Sequence, residues 1–290
     1  MRVLIVGCGD VGLRVARSLP PRVRVLALTS TPGRIAQLRG AGIVPLQGNL
    51  DVPRSLGRLA GLAHRVVHLA PPPAQSQDAW WRDARTQALL RVLRLRALPH
   101  TLVYASTSGV YGDCAGARVS EVRAVAPGTP RAQRRVDAER QLRAFGRGGV
   151  RASVLRIPGI YAADRAGGTP RERLLRGTPV LVPQDDVYTN HIHAEDLARA
   201  LLAALWRGRP QRAYNASDDS ELKMGDYFDL AADLYGLPRP PRVPRATAQE
   251  QLPLVLLSFM GESRRLDNTR LKEELRVRLR HPTVQTGLRA

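Results

Sequence analysis

The sequence predicts an α/β fold built on a doubly wound parallel sheet, with a small C-terminal substrate lobe beside it. Three observations predict this. Short β-branched runs alternate with helical patterns through the N-terminal half, and the first run ends in glycines that open a helix. After Pro158 the texture changes, with Gly167, Gly168, Pro170, Gly177, Pro179 and Pro183 breaking the pattern. A chain of 290 residues has room for one large α/β domain and an appendage. The expected bounds are 1–158 for the sheet domain, with sheet additions from 180–215, and 159–290 for the lobe.

Strands are expected at 2–6, 23–28, 43–46, 65–69, 101–105 and 152–157. Between them, residues 82–98 repeat Ala84, Ala88, Val92 and Leu95 at helical spacing, with arginines over much of the remainder. Right-handed crossovers then place ligands at the carboxyl ends of the strands. In the lobe, residues 195–206 predict a helix with Glu195 and Asp196 in its first turn, where the helix dipole favours acids. Residues 238–244 (PRPPRVP) predict an extended connector, and 268–279 a terminal helix.

Composition narrows the function classes. A net charge of +20 raises nucleic acid as a partner, but the basic residues spread along the whole chain and only Lys223 and Lys272 are lysines. Aromatics make up 4% of the chain, too few for base-stacking platforms, so nucleic-acid binding is disfavoured. The opening MRVLIVGCG is too short an apolar run for a signal-peptide core, and no later stretch approaches ~20 apolar residues. Cys8 and Cys114 lie far apart without metal-ligand spacing. The expectation is a cytoplasmic protein with no membrane partner, no disulfide framework and no metal.

The stretch VLIVGCGDVGLRVA is a strand, then Gly7, Gly9 and Gly12, then a helix. At a first strand-to-helix turn this pattern marks a Rossmann-type dinucleotide site. Gly7 permits the turn, Gly9 admits a pyrophosphate, and Gly12 lets the helix pack on the strand. Cys8 is a small residue beside the cofactor, and the amides near Asp10 and Val11 face the phosphates. Where an NAD enzyme usually carries Asp or Glu after the second strand, this chain has Thr29, Ser30 and Thr31, with Arg34 close behind. Hydroxyls and a guanidinium suit a 2′-phosphate, so NADP is favoured over NAD. The plain alternative is that Ser30 and Thr31 cap the next helix.

Further motifs accumulate in order: GNLD (48–51), HLAPPP (68–73), STSGVYG (106–112), LRIPGIY (155–161), NHIHAEDLARAL (190–201), YNASDD (214–219) and ESRRLDNTRLKEEL (262–275). Together they resemble the extended short-chain dehydrogenase/reductases, the NAD-dependent epimerase/dehydratase group, over essentially the full chain. The resemblance adds Asn49, Leu50, Leu69, Ala70, Pro71 and Pro158 to the expected cofactor residues, and Tyr161 and His191 to the substrate side. It implies that Thr107 holds the reacting oxygen. It also implies a Tyr-x-x-x-Lys pair on the following helix, which this chain lacks. Anchored on Glu139, the resemblance puts Arg131 at the tyrosine position and Arg135 at the lysine position.

Arginine stays protonated to about pH 12, so Arg131 cannot be a general acid or base near neutrality. It could clamp an anionic substrate or stabilise an oxyanion, and Arg135 could hold ribose hydroxyls; the alternative is that both are solvated helix arginines. Tyr111, in the VYG turn, is a candidate proton shuttle, although packing is its plainer role. His193 is expected to fix the start of a helix, and with His191 it lacks a third metal ligand. The leading expectation is an NAD(P)-dependent oxidoreductase or epimerase/dehydratase-like enzyme acting on a hydroxyl or carbonyl of a small anionic or nucleotide-linked substrate. The alternatives are a non-catalytic NAD(P)-binding sensor or regulatory protein and, more weakly, a basic nucleic-acid-associated protein. Substrate identity stays open, as does a homodimer.

Overall fold

The computed structural model describes residues 1–73 and 79–289. Its centre is a seven-stranded, all-parallel sheet. The strands are β1 (Arg2–Val6), β2 (Arg24–Thr29), β3 (Val44–Gln47), β4 (Arg65–His68), β5 (Thr101–Thr107), then Arg151–Ile157 and Arg212–Asn215. Numbered along the chain, their spatial order is 3-2-1-4-5-6-7. The order reverses beside β1, opening a crevice at the carboxyl ends of β1 and β4.

Alternation along β1 shows why the sheet is covered on both faces. Val3 and Ile5 join one core with Val15 of α1 (Asp10–Arg17). Leu4 and Val6 join the other, with residues of α3 (Ala84–Leu93) and α4 (Pro130–Gly146). The short α2 (Ile35–Gly40) follows β2. A third core fills the C-terminal region between α5 (Arg171–Leu175) and α7 (Met224–Tyr235), while α6 (Ala194–Arg207) packs on the sheet beside α1. Beyond these lie α8 (Arg245–Gln251), α9 (Leu254–Met260), α10 (Thr269–Glu273) and α11 (Val284–Leu288). A two-residue ladder between Arg118–Val119 and Arg265–Leu266 ties the last third of the chain to the segment after β5.

Three local expectations change. The helix expected over 82–98 runs only from Ala84 to Leu93. Buried Asp83 caps it by accepting from the Thr86 amide at 3.0 Å, and the chain must turn through Pro99 into β5. The helix expected over 268–279 is the single piece α10, because Arg276 takes φ +54° and the chain turns Leu275 and Val277 into the core. Within 238–244, Arg242–Val243 forms a parallel ladder with Val180–Leu181. Among the described residues no helix is long and apolar enough to cross a membrane.

Candidate cofactor and substrate site

One elongated cavity of about 650 Å³ runs over the carboxyl ends of the central strands. Its first end is the glycine turn. Gly7 has φ +87°, and a Cβ there would lie 2.5 Å from the Ala70 nitrogen, so only glycine fits between the ends of β1 and β4. A Cβ on Gly12 would meet Cys8 Sγ at 3.2 Å and Ile5 Cγ2 at 3.3 Å, which is how α1 seats closely on β1. Gly9 is different: nothing lies within 4 Å of its notional Cβ. Beside it the cavity is open to the start of α1, a polar cradle that a dinucleotide pyrophosphate fits.

Leu28 to Thr31 and Arg34 line the cavity at the end of β2. Thr29 Oγ1 accepts from the Thr31 amide at 3.2 Å, while Arg34 donates to Gln37 Oε1 from both Nε and Nη2 at 3.2 Å. Neither Ser30 nor Thr31 makes a side-chain cap on the turn that follows. The Cys8 thiol is pushed up to about 11 by burial, against the field of Arg34, so it stays protonated at neutral pH.

The other end is built by β5 and α4. Thr107 Oγ1 accepts from the Gly109 amide at 3.3 Å, leaving its own hydroxyl hydrogen for a ligand. Ser106, its neighbour, donates to Glu139 Oε1 at 2.7 Å. Thr129 caps α4 through the Ala132 amide and Pro130 occupies the first turn, so Arg131 and Arg135 fall one turn apart and both line the cavity. Arg131 lies over the Phe259 ring at 5.7 Å. Arg135 Nη1 donates to the Ala105 carbonyl at 2.6 Å and to Tyr104 Oη at 3.1 Å. One turn further, buried Glu139 pairs with buried Arg156 at 2.8 Å. His68 behind this end is held neutral: burial, and then the Arg135 charge, lower it to about 3.

The cavity therefore gathers Gly7 to Gly12, Ser30, Thr31, Arg34, Leu69, Pro71, Thr107, Arg131, Arg135 and Pro158. Seven other residues singled out from the sequence lie off its lining. Leu50 belongs to a core cluster, and Asn49 Oδ1 accepts from the Asp51 amide in its own loop. Ala70 is buried beneath Gly7. Tyr111 is 1% exposed, with its hydroxyl donating to Asn215 Oδ1 at 2.7 Å and accepting from Arg156 at 2.9 Å. Tyr161 donates to the Thr283 carbonyl at 3.2 Å, and His191 stacks on Tyr227 at 4.2 Å, so both are engaged inside the lobe. His193 accepts from the Glu195 amide at 3.3 Å and caps α6.

Two lining residues carry chemistry that the sequence did not single out, Ser106 and Arg165. Ser106 stood inside the STSGVYG motif, next to the residue chosen. Arg165 had no local signal, because its loop reaches the cavity only through tertiary packing.

The model of the NAD dependent epimerase/dehydratase family matches residues 3–217. Among solved structures, a functionally unknown conserved protein from Silicibacter pomeroyi is 29% identical, with 99% of this chain and 96% of that chain covered and a TM-score of 0.80. The UDP-glucose 4-epimerase of Thermotoga maritima, solved with UDP-glucose, is 20% identical, with 100% and 96% covered and a TM-score of 0.80. The UDP-glucuronic acid 4-epimerase of Bacillus cereus, solved with NAD, is 19% identical, with 100% and 97% covered and a TM-score of 0.76. At such identities the two epimerases speak to the fold. No curated protein matches the chain.

Proposed function

Because the chain belongs to the NAD-dependent epimerase/dehydratase family, we propose that it is an NAD(P)-dependent oxidoreductase or epimerase/dehydratase acting on a hydroxyl or carbonyl carbon of a small anionic or nucleotide-linked substrate. One observation carries this reading: Thr107 and the glycine turn line the same cavity, so a dinucleotide anchored at Gly9 and a substrate oxygen at Thr107 share one chamber. Bound there, the nicotinamide would supply the hydride donor or acceptor. Thr107 donates its hydroxyl to the reacting oxygen. Arg131 holds an anionic part of the substrate as a permanently charged donor, and Arg135 keeps a second fixed cation at the floor. Among the described lining residues the end of β2 offers Ser30 and Thr31, with Arg34 behind, and no carboxylate, Asp10 of α1 being the acid of the lining; this favours NADP over NAD.

A second reading, a cofactor-binding sensor without turnover, is favoured by a different observation. Among the described lining residues there is no Tyr, His or Lys to exchange a proton near neutrality. The two readings separate in one experiment. The protein is incubated with NADPH or NADH and with UDP-glucose, UDP-glucuronate or their keto derivatives, and products are followed by nicotinamide absorbance and chromatography. Turnover abolished in Thr107→Ala supports the enzyme. Tight cofactor binding with no turnover of any of these supports the sensor.

A further inference from the structure

Around the start of α1 lies a charge arrangement that neither reading uses, of which Asp10 and Arg165 line the cavity. Arg14 of α1 is 3% exposed and its guanidinium is fully engaged: Nε meets Asp10 at 3.1 Å, Nη2 meets Asp164 at 2.6 Å, and Nη1 meets Glu195. Burial opposes this charge, but the bonds to Asp164 and Glu195 outweigh it and raise the Arg14 pKa. The carboxylates outnumber their partner. Asp10 Oδ2 is buried, accepts no hydrogen bond among the described residues, and has Arg165 Nε at 3.5 Å as its charge partner. Two arginines thus face three carboxylates next to the turn that must receive a pyrophosphate. Locally that excess of carboxylate opposes the ligand, although the cavity lining as a whole sets Arg34, Arg131, Arg135 and Arg165 against Asp10.

Arg165 is the cation able to correct it. It lines the cavity together with Gly9, Asp10 and Val11. Its side chain is 31% exposed, and Nη1 donates to the Ile160 carbonyl at 2.8 Å. Arg14, itself buried, cannot turn to a phosphate without abandoning one of its three carboxylates. Arg34, whose field reaches Cys8, is held by Gln37 at the end of β2, and Arg135 of α4 is held by the Ala105 carbonyl of β5. Arg165 also belongs to the segment after Tyr161, in the C-terminal part of the chain, whose neighbour Asp164 grips Arg14. The two consecutive residues form a strap across the start of α1.

We propose that Arg165 is a pyrophosphate-binding residue delivered by the C-terminal lobe, held by Asp10 until the dinucleotide takes it. The inference rests on the dinucleotide reading above and adds a partner to it. Cofactor binding then fastens the strap, and so couples the pyrophosphate end of the cavity to the lobe that covers the substrate. Asp10 acts as a competing acceptor that weakens binding in exchange for an ordered empty site.

The test is calorimetric titration of the full chain with NADPH, NADH and ADP-ribose at low and high salt. Arg165→Gln should weaken all three by about tenfold or more, since each carries the pyrophosphate, with the loss shrinking at high salt. Arg165→Lys should recover part of it. Asp10→Asn should act in the opposite direction, tightening binding by about two- to fivefold, because it frees Arg165 and removes an anion while keeping an acceptor for Arg14. Thermal melting checks that each variant is folded. Unchanged affinity in folded Arg165→Gln overturns the assignment. So does weakening of the nicotinamide cofactors with ADP-ribose spared, or Asp10→Asn weakening binding as Arg165→Gln does, which would make the pair a structural clasp. Failure of the wild-type protein to bind any of the three would instead remove the dinucleotide reading itself.

Discussion

The two ends of the cavity are built from different material. At the glycine turn the main chain makes the site: Gly7 at φ +87° is wedged against Ala70, and Gly9 leaves an opening over the start of α1. At the far end the backbone is ordinary strand and helix, and side chains shape the cavity: Thr107, Arg131 and Arg135. At the glycine turn the backbone path itself, fixed by Gly7 against Ala70, cannot be altered without disturbing the fold. A side-chain site can be exchanged while its scaffold persists, and α4 keeps its Thr129 cap and its Glu139–Arg156 pair beneath two arginines. On the function proposed, chemistry could therefore change at the second end while cofactor recognition at the first stays put.

The largest effect should come from breaking the first end. Gly9→Val is expected to abolish dinucleotide binding by calorimetry while leaving the melting temperature unchanged, since the new side chain points into open cavity. Gly7→Ala should differ, losing roughly 1–3 kcal/mol or more of stability because its Cβ would collide with backbone at a positive φ. Undiminished affinity in Gly9→Val would erase the contrast between the two ends.

Next comes the second end. Thr107→Ala should lower kcat/KM by about a hundredfold on any carbonyl substrate identified, in the manner of a lost oxyanion donor. Arg131→Ala should raise KM for an anionic substrate with kcat little changed. The double substitution Arg131→Tyr with Arg135→Lys should increase carbonyl reduction without altering cofactor affinity. If it also destroys cofactor binding, the two ends are not separable.

A smaller effect is expected between them. Arg34→Ala should weaken NADP by about ten- to a hundredfold and leave NAD nearly unaffected. Equal affinity of the unmodified protein for both cofactors would refute the NADP preference.

The smallest effect on binding is expected in the lobe, where the change should appear in stability. Burial pushes the Asp218 carboxyl up from 3.8 to about 8. The folded state keeps a proton there that the unfolded chain releases. The associated stability is fully present below the ordinary 3.8 and is lost as pH rises through about 8. Asp218→Asn should flatten that decline, as read from denaturation midpoints across the window, with cofactor affinity unchanged. His191 works in the other direction: burial lowers it from 6.5 to about 4, so its stability is present above 6.5 and lost as pH falls through about 4. The Asp218 variant should leave that acid-side loss in place.

Much of the sheet was legible because its signals are local. Residues 2–6 are the strand expected, and those at 24–29, 44–47, 65–68, 101–107 and 151–157 differ from expectation by at most two residues at either end. Parallel strands buried on both faces read as short apolar runs, and glycines punctuate them. The last helical stretch was misjudged because its periodicity was real but interrupted, with Arg276 turning the chain at φ +54°. Tyr161 and His191 could be placed near the right strands, yet not on the right side of them. Their rings fill the lobe core with Tyr227, and nothing in a three-residue strand reveals which face a partner covers.

By itself the sequence determined the parallel sheet, the glycine turn with its one open position, and the helical spacing that sets Arg131 and Arg135 one turn apart. Each is a property of backbone conformation or helical spacing over a few residues. Tertiary structure alone decided that Tyr111 is locked between Arg156 and Asn215, that Ser106 spends its hydroxyl on Glu139, and that Arg165 arrives beside Asp10 from a segment 155 residues away. Those outcomes depend on which polar groups remain unpartnered once distant segments have packed, and a buried charge takes whatever partner packing brings within reach.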